Sequence, residues 1–395
     1  MRRTMPARIY LDHAATTPVH PEVVRAMQPY HSEYFGNPSS GHAYGRQARA
    51  AVEQARLELA WFLAVRPEEI IFTSGGTEAN NLAVKGFAYG NRRQGNHIIT
   101  TAVEHHSVLE SVKFLARQGF AVTVLPVDAR GRIDPRDVEK AITPRTILVS
   151  VMHANNEVGT IQPVREVADI TRRYGICLHV DAVQTAGHLD VAGLTRGVDM
   201  VSLSAHKIYG PKGVGALYVR QGVRLEPMMN GGRQDARRRA GTEDVPAIIG
   251  FARAIRLVGD EGKSSGANLV QLRDLLLRGI TDRIDGVWLN GDPVARLPGN
   301  LHLGFEGGVD GAALVQSLDA QGIAASTGSA CSSGQSGPSH VLTAMGLDPR
   351  RARSCVRFSL GRGTTPADIE RVLEVLPREV ARLRTPVAAD GGRTV

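Results

Sequence analysis

The chain has 395 residues, of which 42% are apolar and 22% charged, with three cysteines. That balance excludes a disordered chain and a disulfide-stapled scaffold, and it allows a core that needs no structural metal. The net charge of +8 is mostly arginine, since lysine occurs only at 85, 113, 140, 207, 212 and 263. These charges are dispersed and lack the aromatic interleaving of a nucleic-acid surface, so a solvated arginine-rich exterior is expected, with no direct nucleic-acid contact. No run approaches the ~18 apolar residues of a membrane span, and no apolar stretch of secretory type follows the basic N-terminus, so a cytoplasmic protein without a membrane segment is expected.

From about residue 48 to 219, short β-rich runs alternate with helical patterns. The expected strands are 70–72, 97–100, 121–125, 146–151, 176–180 and 200–203, most of them continuous apolar runs suited to burial on both faces. Helical periodicity fills the intervals, as at 78–86, 107–118 and 164–174. Strand–helix–strand repetition implies an α/β fold with a mainly parallel sheet. After about Pro246 a long helical pattern runs to about 280, with a break expected near 262–266. Shorter strands follow at 300–305 and 356–359, as in a smaller α+β domain. A frayed tail is expected over 384–395.

In an open parallel sheet, ligands sit beyond the carboxyl ends of the strands. Five of the expected strands are followed there by polar residues: Thr73-Ser74-Gly75-Gly76-Thr77-Glu78, Glu104-His105-His106, His153-Ala154-Asn155-Asn156-Glu157, Asp181-Ala182-Val183-Gln184 and Ser204-Ala205-His206-Lys207. Taken singly, each is as well explained as a strand terminator or a helix cap; together they would converge on one rim. Lys207 is the most pointed, because a lysine at a desolvated strand end is the type that forms Schiff bases. Pyridoxal phosphate (PLP) chemistry needs such a lysine, an acid for the pyridinium nitrogen, a phosphate cradle and a stacking group. Asp181, the Thr73–Thr77 turn with Ser204 and His206, and His105 are candidates for the last three.

Seven blocks in one order carry a resemblance. They are Tyr10-Leu11-Asp12-His13-Ala14-Ala15-Thr16-Thr17-Pro18, Phe72 through Glu78, Val103-Glu104-His105-His106, and His153 through Gly159. His179-Val180-Asp181-Ala182-Val183-Gln184, Ala205 through Gly213 and Gly328-Ser329-Ala330-Cys331-Ser332-Ser333-Gly334 complete the set. Over about residues 9 to 385 the chain resembles the group I (IscS/NifS-like) cysteine desulfurases, a branch of the class V aminotransferases of PLP fold type I. The resemblance implies a PLP-dependent transferase fold with a seven-stranded, mainly parallel sheet. A large PLP-binding domain would span residues 15–250. A small domain, from 1–14 and 251–395, would carry the catalytic cysteine loop at about 324–338.

Position by position, the resemblance makes Lys207 the Schiff-base lysine and pairs Asp181 with the pyridinium nitrogen. Gln184 would bond the ring hydroxyl oxygen, and His105 would stack on the ring and exchange a proton with the substrate thiol. Gly76, Thr77, Ser204 and His206 would hold the phosphate, and Thr242 would reach the phosphate of a second subunit, implying a homodimer. Asn156 and Arg357 would hold the substrate carboxylate, Arg357 through a two-pronged contact. One departure stands in Gly231-Gly232-Arg233-Gln234, where arginine replaces the family's usual third glycine. Beside it, Arg237-Arg238-Arg239 is either a dock for an acidic partner or solvated charge.

Cys177 and Cys355 lie in or beside apolar strands and read as packing residues. Cys331 sits among glycines and serines that can pack no core, which suits a mobile nucleophile. The implied reaction converts L-cysteine to L-alanine and leaves a persulfide on Cys331. The sulfur would pass to an acceptor protein such as an iron–sulfur scaffold or a tRNA-thiolation protein. Selenocysteine lyase and class V aminotransferase are the alternatives within the fold. A basic RNA-binding or scaffold protein on a retired enzyme fold is the alternative outside it, and would have lost the lysine, acid or histidine that this sequence keeps.

Overall fold

The computed structural model describes residues 8–328 and 337–384; within the described helix at 261–265 only the backbone is considered. Twelve strands run in chain order: β1 (Ile9–Tyr10), β2 (Ile70–Thr73), β3 (His97–Thr101), β4 (Ala121–Leu125), β5 (Thr146–Met152), β6 (Cys177–Asp181), β7 (Met200–Ser204), β8 (Gly215–Val219), β9 (Val287–Leu289), β10 (Asn300–Phe305), β11 (Ile323–Ala324) and β12 (Cys355–Ser359). Seven of them form one sheet in the order β2-β8-β7-β6-β5-β3-β4. All neighbours are parallel except β8, which runs antiparallel to both β2 and β7. The sheet is therefore mixed and mostly parallel.

The six strands expected from apolar runs all form, with ends shifted by a residue or so. The seventh, β8, is Gly-Ala-Leu-Tyr-Val, whose leading glycine runs on from the Gly210–Gly213 turn and blurs where a strand would begin. Its place is fixed by close backbone approach: a Cβ on Gly215 would lie 2.5 Å from the Leu203 carbonyl oxygen and 2.7 Å from Gly75. The central strands are buried along their length, whereas the edge strand β4 is partly exposed, as expected of inner and outer members of a covered sheet.

The helix Val245–Thr281 runs through 262–266 without the expected break. Its N-terminus is capped by Asp244, whose carboxylate accepts from the Ala247 N–H at 3.1 Å. Each internal glycine costs roughly 1 kcal/mol of helix propensity. Both ends are nevertheless anchored by packing. Phe251 and Ile255 belong to the apolar core under the large sheet, and Leu269, Leu272, Leu276 and Ile280 belong to a second core. That second core includes Leu11 and residues of β10 and β12, and it sits on the three-stranded antiparallel sheet β12-β10-β9. The chain's first strand joins this part: β1 pairs in parallel with β11, Ile9 opposite Ile323. Among the described residues, no helix is long and apolar enough to cross a membrane. Residues 385–395 of the expected frayed tail lie outside the described residues.

Candidate active site

The polar residues after β2, β3, β5, β6 and β7 do meet on one rim. They line a cavity of about 270 Å³ that takes in Gly76, Thr77, His105, Asn156, Asp181, Gln184, Ser204, His206, Lys207 and Arg357. A wider cavity of about 540 Å³ opens at the opposite, amino edge of the strands, around Thr146, Cys177 and Asp199; it contains none of the expected site residues.

Lys207 ends a single 3-10 turn, Ala205–Lys207, immediately after β7. Its Nζ donates to two backbone carbonyls of the N-terminal segment, Ala14 O at 2.6 Å and Ala15 O at 2.8 Å. Gln184 Nε2 donates to the same Ala14 carbonyl at 3.0 Å. His206, from the same turn, has Nδ1 3.1 Å from Thr16 Oγ1. Burial, with Lys207 and Lys212 nearby, pushes the His206 imidazole down to about 4, so the ring is neutral at physiological pH.

Asp181 closes β6 and is 6% exposed. Its Oδ1 accepts from the Val183 N–H at 3.0 Å and its Oδ2 from Asn80 Nδ2 at 2.7 Å. Facing it, His105 is the N-cap of the helix His106–Arg117: its Nδ1 accepts from the Ser107 N–H at 3.1 Å and lies 2.7 Å from Ser107 Oγ. Burial is the main reason its pKa is lowered, with Lys207 adding to the effect and Asp181 opposing it.

Gly76 opens the helix that follows β2. A Cβ there would lie 2.6 Å from Val183 Cγ2, so only glycine lets the helix start against the Asp181 turn. Gly75 before it has φ +148°, a region that side chains rarely adopt. The first N–H groups of this helix have no partner within it, as at any helix start, and they open beside Ser204 at the end of β7.

Arg357 lies on β12 and is 1% exposed. Its Nη1 donates to Asn156 O at 2.8 Å and Gly328 O at 3.2 Å, and its Nη2 pairs with Asp12 Oδ1 at 2.7 Å. Asn156 thus reaches Arg357 through its backbone. Next to it, Glu157 is buried, which raises its pKa, and it accepts from Ser339 Oγ at 2.5 Å. The site is built from both ends of the chain as well as from the sheet rim.

Thr242 is exposed and lies outside this cavity, in a smaller hollow of about 90 Å³ with Ser74 and Gly241. Cys331 and most of its loop lie outside the described residues. The arginine triplet is partly used within the chain: Arg239 pairs with Glu78 at 2.9 Å, and Arg238 donates to Glu68 O at 2.8 Å. His153 turns away from the cavity, with Nδ1 3.0 Å from Thr185 Oγ1. Asp12, Asn80, Ser107 and the Ala14 and Ala15 carbonyls were not singled out by sequence. Asp12 and the two alanines sit in a quoted block, but nothing in their type announces a contact made more than 190 residues away in sequence.

The residues present fit pyridoxal phosphate. One cavity holds an amine, a carboxylate held by two donors, an imidazole, a helix start where a Cβ would clash, and a buried guanidinium. An acid aimed into the same space as a lysine amine is the donor set that a protonated pyridine ring and its aldehyde require.

The sequence profile of the Aminotransferase class-V family matches residues 9–372. A cysteine desulfurase IscS of Dictyoglomus turgidum is 49% identical over 381 residues, covering 96% of each chain. One of Methanosarcina thermophila is 48% identical, over 95% of this chain and 93% of its own. Among solved structures, a NifS-like protein superposes with a TM-score of 0.89 at 38% identity, covering 95% of this chain and 100% of its own. A protein described as SspA in complex with cysteine superposes with a TM-score of 0.80 at 37% identity, covering 89% and 98%. With the amine, acid and imidazole of PLP chemistry gathered at one rim, these likenesses over nearly the full length show that the chain belongs to the class-V aminotransferase family, in its group I, IscS/NifS-like cysteine desulfurase branch.

Proposed function

We propose that the enzyme takes L-cysteine, releases L-alanine and carries the sulfur as a persulfide on Cys331. The observation that carries this reading is the single cavity containing Lys207, Asp181, His105 and Arg357. Pyridoxal phosphate, when bound, supplies an aldehyde for the substrate amine and a ring that withdraws electrons from its Cα. Lys207 would hold it, and the Lys207 amine, which the Ala14 and Ala15 carbonyls orient, would take the substrate's Cα proton. Asp181 keeps the ring nitrogen protonated through its charge. Gln184 lies beside Lys207 for the ring oxygen, and His105 supplies the stacking face. Gly76, Thr77, Ser204 and His206 receive the phosphate, joined by Thr242 from a second subunit. Arg357 and Asn156 bind the substrate carboxylate, which fixes the direction of its side chain.

The Cys331 thiolate then attacks the substrate sulfur. The new S–S bond forms as the C–S bond breaks, the electron pair stays with the carbon fragment, and two protons, one at Cβ and one returned to Cα, complete alanine. A second thiol on an acceptor protein, such as an iron–sulfur scaffold or a tRNA-thiolation protein, removes the sulfur.

A homodimer is supported by apolar surface: Phe35 and Tyr44 are 65% and 54% exposed and stack at 5.4 Å, and Met228 and Met229 are exposed near Thr242 in the chain. A reducing, cytoplasmic setting is supported by the chemistry of a thiol that must return to its free form after each turnover. The division into a large domain over 15–250 and a small one from 1–14 and 251–395 is supported by two of the apolar cores, one ending at Ile255 and the other taking up Leu11 and Leu269 onward, while a third core joins Val103, Met152 and Val158 to Val341 and Leu342 across it.

The test is incubation of the PLP-loaded enzyme with L-cysteine, followed by intact-mass and peptide analysis. A gain of one sulfur atom at Cys331, with alanine released, is expected. Cys331→Ser should gain none and keep the visible absorbance of the cofactor, and Lys207→Ala should lose its covalent cofactor band. Full desulfurase turnover by Cys331→Ser would overturn the proposal.

A further inference from the structure

Behind the cavity, four side chains form a continuous line: Asp181, Asn80, Ser107 and His105. Asn80 is 1% exposed and donates both Nδ2 hydrogens, to Asp181 Oδ2 at 2.7 Å and to Ser107 Oγ at 2.9 Å. Chemistry fixes the orientation of that amide, because an ionised carboxylate only accepts hydrogen bonds and an amide oxygen facing it would repel it. Asn80 Oδ1 accordingly has no hydrogen-bond partner among the described residues. Such an orphaned acceptor is costly when buried, which shows how strongly the other end of the amide is claimed.

The polarity then propagates. Ser107 Oγ accepts from Asn80, so its own hydrogen points onward to His105 Nδ1 at 2.7 Å. The same Nδ1 already accepts the Ser107 backbone N–H at 3.1 Å. Two donors converge on one ring nitrogen, so that nitrogen must present its lone pair. In the neutral ring the proton is therefore on Nε2. To become a cation, the ring would need a hydrogen on Nδ1, facing two other hydrogens and undoing the helix cap.

We infer that Asn80 and Ser107 are positioning residues that lock His105 as the neutral Nε2–H tautomer and tie it to Asp181. The inference deepens the proposed function, since it rests on the roles given there to His105 and Asp181. It also corrects one expectation from the sequence. His105 serves the site as a fixed N–H donor, because a proton offered to this ring finds its only open acceptor already occupied. Proton removal at Cα falls to Lys207, and the substrate thiol meets a hydrogen-bond donor at His105 instead of a base. The downward pKa shift of His105, caused first by burial, agrees in direction. The titratable groups around the ring are Asp181 and Lys207 at the rim, His106 beside it in sequence, and His340 from the helix His340–Ala344. Of these only Asp181 favours the cation, and Asn80 binds the carboxylate oxygen on that side.

The test reads the ring itself. PLP-loaded enzyme is labelled with 15N-histidine, and long-range proton–nitrogen spectra are recorded across the pH range around the ordinary histidine value of about 6.5. The His105 signals are assigned by their loss in His105→Gln. In the parent, His105 should show one Nε2–H tautomer and no titration. Ser107→Ala should move the Nδ1 resonance toward that of an unbonded imidazole nitrogen, and Ser107→Thr, which keeps the hydroxyl, should restore it.

Asn80 acts on His105 through Ser107 and Asp181, and Asn80→Ala should raise the ring's apparent pKa by about one unit, a tenfold change in the protonation equilibrium. A purely structural role for Asn80 would leave the tautomer and titration as in the parent. The relay is overturned if the parent ring carries its proton on Nδ1, or titrates like an exposed histidine, or if Asn80→Ala and Ser107→Ala leave its spectrum unchanged. Should Asn80→Ala not fold, Ser107→Ala and Ser107→Thr decide the matter. Alanine release from L-cysteine, measured on the same parent sample, separates the two claims. Its absence overturns the proposed function, whereas the spectra judge the relay by themselves.

Discussion

Removing the Asp12 carboxylate should destabilise the protein by about 3 kcal/mol. The figure follows from the pair it makes with Arg357. Arg357 is almost wholly inaccessible, and the Asp12 side chain is 19% exposed. Unit charges about 4 Å apart attract by roughly 4 kcal/mol at an effective dielectric of 20, and deleting one partner of a buried pair costs about 3–5 kcal/mol because the other charge is left without compensation. Two features move Asp12→Ala to the low end of that range: water reaches Asp12, and Arg357 Nη1 keeps its bonds to Asn156 O and Gly328 O. Among the described residues Arg357 Nε has no hydrogen-bond partner, so none of them offers a spare acceptor. Asp12→Asn keeps an acceptor for Nη2 and should lose only about 1 kcal/mol, the usual scale for one hydrogen bond. The assay is urea unfolding of the PLP-loaded enzyme, followed by fluorescence and by the visible band of the cofactor. Equal midpoints for Asp12→Ala and the parent, or equal losses for the Ala and Asn variants, would refute the charge-based argument.

Two further outcomes can be checked with the same equipment. Arg237 is exposed and has φ +67°, the last of three consecutive left-handed residues with Asp235 and Ala236. Left-handed backbone costs a side-chain-bearing residue roughly 1–2 kcal/mol, partly offset in glycine by a more flexible unfolded chain, so Arg237→Gly should raise the unfolding free energy by about 0.5–1 kcal/mol, read as a higher midpoint; a lower midpoint would refute it. Glu104 is fully buried, and burial pushes its carboxyl up to about 8 although Thr101 Oγ1 and the Met152 N–H oppose the shift. The folded protein thus holds a proton that the unfolded chain releases above about pH 4.5. This group's contribution to stability is complete below that pH and is lost as pH rises toward 8. Glu104→Gln should flatten that decline, and an unchanged slope of stability against pH between 5 and 8 would count against it.

The large sheet was legible because its inner strands are buried on both faces and so are written as unbroken apolar runs, as in Thr146–Met152. The chemistry was legible for a related reason. A parallel sheet sends the residues after its strands to one rim, so Asp181, His105 and Lys207 could be placed together without knowing any distance. What escaped was set by partners distant in sequence. The helix Val245–Thr281 looked broken because Gly262 and Gly266 lower its local propensity, while the two cores that hold its ends lie elsewhere in the chain. Strand β8 escaped because it opens on a glycine that continues the glycine turn before it, so no boundary marks its start. Asn80 and Ser107 escaped because a small polar residue in the first turns of a helix has an ordinary reading as a cap or a solvated position, and only the fold shows that Asn80 meets the Asp181 carboxylate and Ser107 the His105 imidazole.

The N-terminal block Tyr10 to Thr17 shows how a recognisable stretch of sequence can conceal its physical purpose. As sequence it marks a family. As structure it is a strap whose consecutive residues touch different parts of the site. Leu11 enters the second core, and Asp12 reaches Arg357. Ala14 and Ala15 present their carbonyls to Lys207, Ala14 also binds Gln184, and Thr17 Oγ1 donates to His206 O at 3.0 Å. A turn after β1 makes this possible: the Ala15 and Thr16 N–H groups reach back to Asp12 O, and the Ala14 and Ala15 carbonyls are left to face Lys207. The alanines fit the same logic: a small side chain lets the Lys207 amine come within 2.6 Å of the backbone. The group proposed to bind the substrate carboxylate and the group proposed to take its Cα proton are therefore held by one short piece of chain, two residues apart. A shift of that piece would move both contacts together, so the spacing between carboxylate and base is set by local covalent geometry more than by how the two cores are packed.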